Sequence, residues 1–517
     1  MTIQFAGSLL GVFWIDSRYW IAGSRTAVAT YVGERLTVRR MDLRESSLSR
    51  GHVGTVVRCP SGKGIQVTGF EGSLYRRADA GYEQARAAAV WNGKKPRRTP
   101  EVIAVANTRA DIPRAIALAR DESLSIGIRS GGHSWVGNAL RDGGLLLDLS
   151  RLKDIQVNPD ARTAIVEPGV HVRELVAALA RHDLYFPTGH CPTVGLAGFL
   201  LGGGAGLNSY VVGPAAYSMS AVDVVTAQGE SLHASDTEHT DIMWAARGSG
   251  PGFFAAVSQM HLDLRPAPGV VAWTMQVHPL SAYDKLIPWY MGVTEQLQET
   301  GCPALLIASG NPLAGTEDPV LTLVSYVFAD DLADAEARLA PLSSAPDLSS
   351  ALLRQSAQPT SVEDLLNLFD LLYPEGYRYL SDNVWLADAK DSTLWRATRS
   401  IIDSLPTARS SVWLIPGTRR THPNAAFSLT AEMSLQVYAV YDDSADDSRM
   451  SAWHSTSMES IENFSIGGGY VGDSNLFDHP MAILDPPSAK RLEALRAQYD
   501  PDGRFYSYPH ELPMARV

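Results

Sequence analysis

The sequence predicts an α+β protein, because short strand and helix patterns alternate from about residue 100 to Pro266 and longer strand patterns follow. Val102-Ile103-Ala104-Val105 reads as a short strand. Asp111 then stands as an N-cap with Pro113 in the first turn, and Ile112, Ile116 and Ala119 share one helical face. Ser125 to Ile128 reads as a second strand, running into the loop Arg129-Ser130-Gly131-Gly132-His133-Ser134. A similar unit follows: a strand from Thr163 to Val166, the turn Glu167-Pro168-Gly169, and a helix with Val172, Leu175, Val176 and Leu179 on one face. Beyond Pro266, Val270 to Val277 and Val320 to Phe328 read as longer strands, with a helix from Ala333 to Leu342 and a Ser/Ala/Pro-rich loop from Leu342 to Ala351. The acidic run Asp442 to Asp447 reads as a solvated turn. The last helix, Ala489 to Tyr499, is apolar at Leu492, Leu495 and Tyr499 and stops at Asp500-Pro501-Asp502-Gly503.

Composition bounds the function. A length of 517 residues predicts two to four domains, at roughly 150 residues each. A hydrophobic fraction of 45% excludes wholesale disorder. With 44 Lys and Arg against 56 Asp and Glu, the net charge of −12 argues against a dedicated nucleic-acid or anionic-membrane partner. Three cysteines, Cys59, Cys191 and Cys302, cannot build a disulfide framework, and their spacing fits no zinc site. The apolar stretch Ser8 to Ile21 has no basic residue before Arg18 and is interrupted by Asp16, so no secretory or membrane-spanning segment is expected, and the location expected is cytoplasmic. Residues 1–71 alternate apolar and polar in Gly-punctuated pieces, such as Ala27 to Val32 and Gly64 to Phe70. They are either a small β-rich extension or the result of a start codon placed too far upstream.

Two glycine-rich stretches carry the chemistry. In the first, Gly189-His190-Cys191-Pro192-Thr193-Val194-Gly195-Leu196-Ala197-Gly198 leads to Gly202-Gly203-Gly204-Ala205-Gly206, and half of positions 195–206 are Gly. That much backbone freedom is costly unless the chain needs positive φ or close approach to a ligand. Apolar residues interleaved among the glycines point to a buried loop whose N–H groups face an anion such as a pyrophosphate. The dinucleotide pattern G-x-G-x-x-G is absent. The second stretch, Ser130-Gly131-Gly132-His133-Ser134, follows a strand and offers backbone donors in the same way.

Together, I-R-S-G-G-H-S (128–134), G-H-C-P-T-V-G-L-A-G (189–198) with G-G-G-A-G (202–206), D-I-M-W-A-A-R-G-S-G-P-G-F-F (241–254) and Y-D-P-D-G-R-F (499–505) resemble the berberine-bridge-enzyme-like flavoprotein oxidases of the vanillyl-alcohol-oxidase superfamily. The resemblance runs from about residue 72 to the end. It implies a two-lobed PCMH-type FAD-binding fold: a FAD domain over 72–266, a substrate domain on an antiparallel sheet over 267–457, and a C-terminal segment, 458–517, returning to the FAD domain. It also implies FAD bonded covalently through His133 and Cys191, a neutral imidazole attacking the activated 8α-methyl and a thiolate adding to ring carbon C6. Arg129, Ser130, Gly131, Gly132, Ser134, Val194, Gly195, Gly198, Gly202, Gly203, Gly204, Asn208 and Val257 are the further cofactor-binding candidates. Val194 occupies the family position that controls dioxygen access, and a small branched residue there implies an oxidase.

The catalytic base departs from the family pattern. The family's Tyr-x-Asn-Tyr reads Tyr470-Val471-Gly472-Asp473, so either Asp473 is a carboxylate base, or the register has slipped, or another group serves, with Tyr470 the second candidate. The family's Arg-Lys-Tyr-Gly likewise reads Tyr210-Val211-Val212-Gly213. Tyr379, Trp385 and Glu432 are candidate substrate-side residues more readily read as structural, and His190 reads as a loop residue whose side chain points away from the cysteine. The activity expected is oxidation of an alcohol or amine-bearing carbon of a small organic molecule, a sugar or secondary metabolite, with O2 reduced to H2O2 and the protein a monomer or homodimer. A flavin dehydrogenase with another acceptor, or a non-catalytic ligand-sequestering protein, stand as alternatives.

Overall fold

Three sheets position the site. The computed structural model describes residues 69–418 and 420–515, together with the backbone of the strands Gly11–Ile15, Arg18–Ala22, Ala27–Val32 and Arg35–Arg40. These four form two antiparallel pairs. They fall in one compact unit, Met1–Gly64, and a second unit spans Ile65–Val517. Cys59 and residues 64–68 of the alternating piece Gly64 to Phe70 lie outside the described residues.

The first sheet has four strands in the order Ser73–Arg76, Pro100–Val105, Gly143–Asp148 and Ile126–Arg129, the last three parallel. A parallel pair needs a helical crossover, and Asp111–Asp121 supplies it, with Ile112, Ala115, Ile116 and Ala119 fully buried. Asp111 is the first helical residue rather than the cap. Its buried carboxylate accepts from the N–H groups of Glu71, Asn107 and Thr108, which tie the preceding turn to the helix start.

The second sheet is antiparallel, in the order Ser231–Ser235, Met219–Val225, Ala256–Asp263, Thr163–Val166 and Ile155–Asn158. The helix Val172–Ala180 buries Val172, Leu175 and Leu179. His171 and Glu174 close its N-terminus as a reciprocal capping box. Positions 195–206 are not one open loop: Leu196–Leu201 is a short helix N-capped by Gly195. Leu196 and Leu200, one turn apart, are fully buried, and that burial, about 1.5–3 kcal/mol per side chain, exceeds the roughly 1 kcal/mol cost of a helical glycine.

The third sheet has seven antiparallel strands, in the order Leu353–Thr360, Val270–Pro279, Thr316–Ala329, Ala304–Asn311, Ser411–Pro416, Met433–Tyr441 and Arg378–Trp385. Alternation sorts its side chains. Leu306, Val412, Leu414, Leu435 and Val437 face one way, in a core shared with the helices Tyr283–Glu299, Ser392–Asp403 and Asp447–Ile461. Leu305, Trp413, Ile415, Ser434, Gln436 and Tyr438 face the other way and line a cavity. Cys302 is fully buried in the helix-side core. The expected boundary at 457 falls inside the helix Asp447–Ile461. Asp447 is no solvated turn residue: it takes both guanidinium arms of Arg378, at 2.8 and 2.7 Å. The expected loop Leu342 to Ala351 is wound into the 3-10 turns Ala340–Ser344 and Leu348–Ser350.

The last helix, Pro486–Tyr499, starts earlier than its apolar pattern because Asp485 caps it and Pro486 suits the first turn. Tyr499 stacks on Phe254 at 5.4 Å and donates to Asp241. Beyond the turn, the chain rejoins the first sheet: Ile126 N–H donates to the Arg504 carbonyl at 2.6 Å and Tyr506 N–H to the Ile126 carbonyl at 2.9 Å. Among the described residues no helix is long and apolar enough to cross a membrane.

Candidate active site

A cavity of about 410 Å³ lies between the two glycine-rich stretches and the seven-stranded sheet. Its first wall is mostly backbone. The two stretches meet without side chains between them: a Cβ on Gly131 would sit 2.4 Å from the Gly195 nitrogen, and one on Gly195 equally close to the Gly131 nitrogen. Only paired glycines permit that approach. Arg129 anchors the start of the first loop, donating to Asp148 at 2.9 and 3.2 Å. Ser130, Gly132, Ser134, Val194, Gly198, Gly202 and Val257 also line the cavity.

His133 and Cys191 both open onto this space. The His133 ring stacks on Trp91 at 4.5 Å, and Nε2 lies 2.8 Å from Thr193 Oγ1. Burial, then the nearby His171 and Arg129, push its pKa down to about 3. It is therefore a neutral imidazole at physiological pH, the form a nucleophilic nitrogen requires. Cys191 behaves oppositely. Burial, reinforced by the carboxylates of Asp473 and Asp370, raises its pKa, so the resting group is a thiol and not the thiolate the chemistry of attachment requires. His190 is a loop residue, as the sequence suggests, in a bend, and it faces the cavity with Nε2 3.0 Å from the Tyr326 hydroxyl and its ring 4.7 Å from Phe369. Burial pushes its pKa down to about 4.

The opposite wall is aromatic, with Tyr326, Phe369, Tyr373, Trp413 and Tyr438 facing the cavity. Asp473 stands where the walls converge. Trp135 Nε1 donates to Oδ1 at 2.9 Å, and Gln436 Nε2 donates to Oδ2 at 3.3 Å. Burial raises its pKa against the lowering effect of the hydrogen bonds from Trp135, Tyr438 and Gln436. Tyr470 also lines the cavity, but its hydroxyl is engaged, accepting from Ala205 N–H at 3.2 Å. Burial and the neighbouring Asp473 raise its pKa further above the ordinary phenol value.

Several sequence candidates are placed elsewhere. Gly203 and Gly204 stand off the wall at positive φ, where Cβ atoms would strike Phe427 and Ala215. Asn208, also at positive φ, donates to the Tyr185 hydroxyl at 2.8 Å and does not line the cavity. Tyr379 donates to the Pro374 carbonyl at 2.6 Å behind Trp135, and Glu432 is exposed and off the wall. Trp385 does line it. Sequence reasoning missed Trp135, Gln436, Tyr438 and Tyr326. One signal was available: Ser434 and Gln436 are polar at alternate positions of an otherwise apolar strand.

Four buried polar atoms of cavity-lining residues have no partner among the described residues: Arg129 Nε, Asn138 Oδ1, Trp385 Nε1 and Ser434 Oγ. Unpaired buried polar groups are costly, and they sit on both walls, as a ligand spanning the cavity requires. With the bare glycine backbone, this donor set suits a long cofactor bearing phosphate and ring polar groups.

Comparison with known proteins agrees. The FAD binding domain family matches residues 100–235. The FAD-linked oxidoreductase janO of Penicillium janthinellum is 32% identical over 426 residues, 82% of this chain and 94% of that protein. The chain belongs to the FAD-linked oxidoreductases. Two solved structures share its fold. Berberine-bridge-enzyme-like 1 of Physcomitrella patens superposes with a TM-score of 0.74 at 19% identity, over 87% of this chain and 99% of that one. A variant of berberine bridge enzyme gives 0.72 at 19% identity, over 86% and 97%. The expected fold class and FAD cofactor are thereby shown.

Proposed function

We propose that this FAD-linked oxidoreductase is an oxidase that takes two electrons from an alcohol- or amine-bearing carbon of a small, largely apolar secondary metabolite, with Asp473 as the base. The observation that carries the reading is the place of Asp473: a half-buried carboxylate lining the cavity with the glycine wall and the aromatic wall, held by Trp135 and Gln436. A base must be deprotonated to act. Burial raises both groups, but a carboxyl starts well below neutrality, at about 3.9, and a phenol well above it, at about 10, which favours Asp473 over Tyr470. The aromatic wall favours an apolar ring system over a sugar, which would call for a polar lining.

Bound FAD supplies the two-electron oxidation and, in an oxidase, delivers the electrons to O2 to give H2O2. His133 and Cys191 are the residues placed to hold it covalently, and the neutral imidazole of His133 is ready for attachment. Cys191 must first lose its proton, which burial disfavours. Trp135 and Gln436 fix the Asp473 carboxylate, and in this reading Val194, on the glycine wall, is the residue that governs O2 access. The FAD lobe of this reading comprises 72–266 with 458–517, and the substrate lobe 267–457.

Denaturing the purified yellow protein tests the attachment. The flavin precipitates with the chain, His133→Ala and Cys191→Ala each leave one bond, and the double variant releases all the FAD; free FAD from the wild type overturns the covalent reading. A panel of aromatic amines, aromatic alcohols and sugars, followed by O2 uptake and dye reduction, tests the acceptor and substrate class. Turnover confined to sugars, or dye reduction without O2 uptake, overturns the corresponding part.

A further inference from the structure

The exposed face of the second sheet carries a cluster that the flavin site does not use. Asp223, on the strand Met219–Val225 next to the edge, lies directly across from His233 on the edge strand Ser231–Ser235. On the other side, His261 is paired with Ala221, two residues from Asp223. Side chains alternate along a strand, so all three project from the same face. His233 Nδ1 donates to Asp223 Oδ1 at 2.7 Å and His261 Nε2 to Oδ2 at 2.9 Å, with the two rings perpendicular at 5.3 Å. Among the described residues, this is the one group of three His, Cys, Asp or Glu side chains whose donor atoms all lie within 4.8 Å of one another.

We propose that Asp223, His233 and His261 bind a divalent transition-metal ion of the zinc class. Two imidazole nitrogens and one carboxylate oxygen form a borderline-soft donor set that suits Zn²⁺, Co²⁺, Ni²⁺ or Cu²⁺, whereas Mg²⁺ and Ca²⁺ require oxygen. Tetrahedral zinc with bonds of about 2.0–2.1 Å needs donors about 3.3 Å apart. The imidazole nitrogens lie 2.7 and 2.9 Å from the two Asp223 oxygens, and one donor atom from each residue falls within 4.8 Å of the others, so side-chain rotation on a fixed backbone closes the site. The side chains of His233, His261 and Asp223 are 44%, 26% and 26% exposed, which leaves water free to complete the coordination. The Arg109 guanidinium goes to Gln259 and Glu167, and the ion-pair partners of Asp223 among the described residues are the two histidines. Because the ligands come from three adjacent strands and one strand is the sheet edge, the ion clamps that edge to the sheet interior. The site is separate from the flavin cavity and does not rest on the proposed oxidase activity.

The test uses the full-length, flavin-loaded protein, stripped with a chelator, dialysed and titrated with ZnCl2 by calorimetry. The wild type binds one Zn²⁺ per chain, and the His233→Ala/His261→Ala double variant loses at least about 100-fold in affinity. Zinc raises the Tm of the wild type and leaves that of the double variant unchanged, while the flavin spectrum and the metal-free Tm of the two proteins agree. If the double variant is unstable without metal, Asp223→Asn, which keeps the shape and removes the charge, must show the same loss. Equal zinc binding by wild type and variants, or no binding by the wild type, overturns the proposal.

Discussion

The two walls of the cavity are built by opposite means. One is backbone from two short, contiguous stretches, 129–134 and 189–202, brought into contact because Gly131 and Gly195 have no side chains to keep them apart. The other is side chains, contributed one to three at a time by strands far apart in the chain, such as Leu305, Tyr326, Trp413, Ile415, Gln436 and Tyr438. A backbone wall tolerates almost no substitution, because the polar groups of the peptide itself make the surface and any Cβ displaces them. A side-chain wall tolerates many, because each residue is one tile in a surface whose shape the sheet maintains. The first wall therefore suits an invariant cofactor and the second a variable substrate.

Substitutions separate the two. Gly131→Ala is expected to have the largest effect, since its Cβ meets backbone 2.4 Å away. The purified variant should retain little flavin, read from visible absorbance per chain; a normal flavin content would break the contrast between the walls. Asp473→Asn should lower kcat by about 10²–10⁴-fold with flavin content preserved. Tyr470→Phe should lower it far less, and the reverse order would transfer the base role to Tyr470. Leu435→Ala, on the helix side of the aromatic sheet, should destabilise by about 2–5 kcal/mol in chemical denaturation. The cavity surface it supports should still bind FAD. Trp135→Phe and Gln436→Leu should have the smallest effect. Each removes a hydrogen bond that favours ionised Asp473, which burial holds with its pKa raised. As a base, Asp473 is active above its pKa and silent below it. The wild-type rate should therefore rise with pH through a midpoint above the ordinary carboxylate value, about 3.9. In both variants that midpoint should move higher, and an unmoved acid limb would dissociate these residues from the base.

Legibility in the sequence follows the same division. The strand–helix units of the first sheet were readable because their hydrophobic periodicity is local, as at Ile112, Ile116 and Ala119. His133 and Cys191 were readable because each stands in a compact, distinctive run of small residues. The short helix Leu196–Leu201 was obscured by glycines, whose poor helix propensity was overridden by burial of Leu196 and Leu200. Asn208, Gly203 and Gly204 looked like ligands by proximity to the motif. In the structure they shape the turn and the packing behind it, a distinction that depends on which way the backbone faces.

From the sequence alone, the helical faces and strand patterns already determined the α+β class, the glycine-rich stretches pointed to a phosphate-bearing cofactor, and the resemblance of the motifs to a known family pointed to a flavin, because these signals act over a few residues. The partial burial of Asp473, its hydrogen bonds to Trp135 and Gln436, the uncharged states of His133 and Cys191, and the aromatic wall were decided only by tertiary structure. Each depends on groups tens to hundreds of residues apart. Desolvation and hydrogen bonding become definite only when the fold has excluded water and fixed the neighbours.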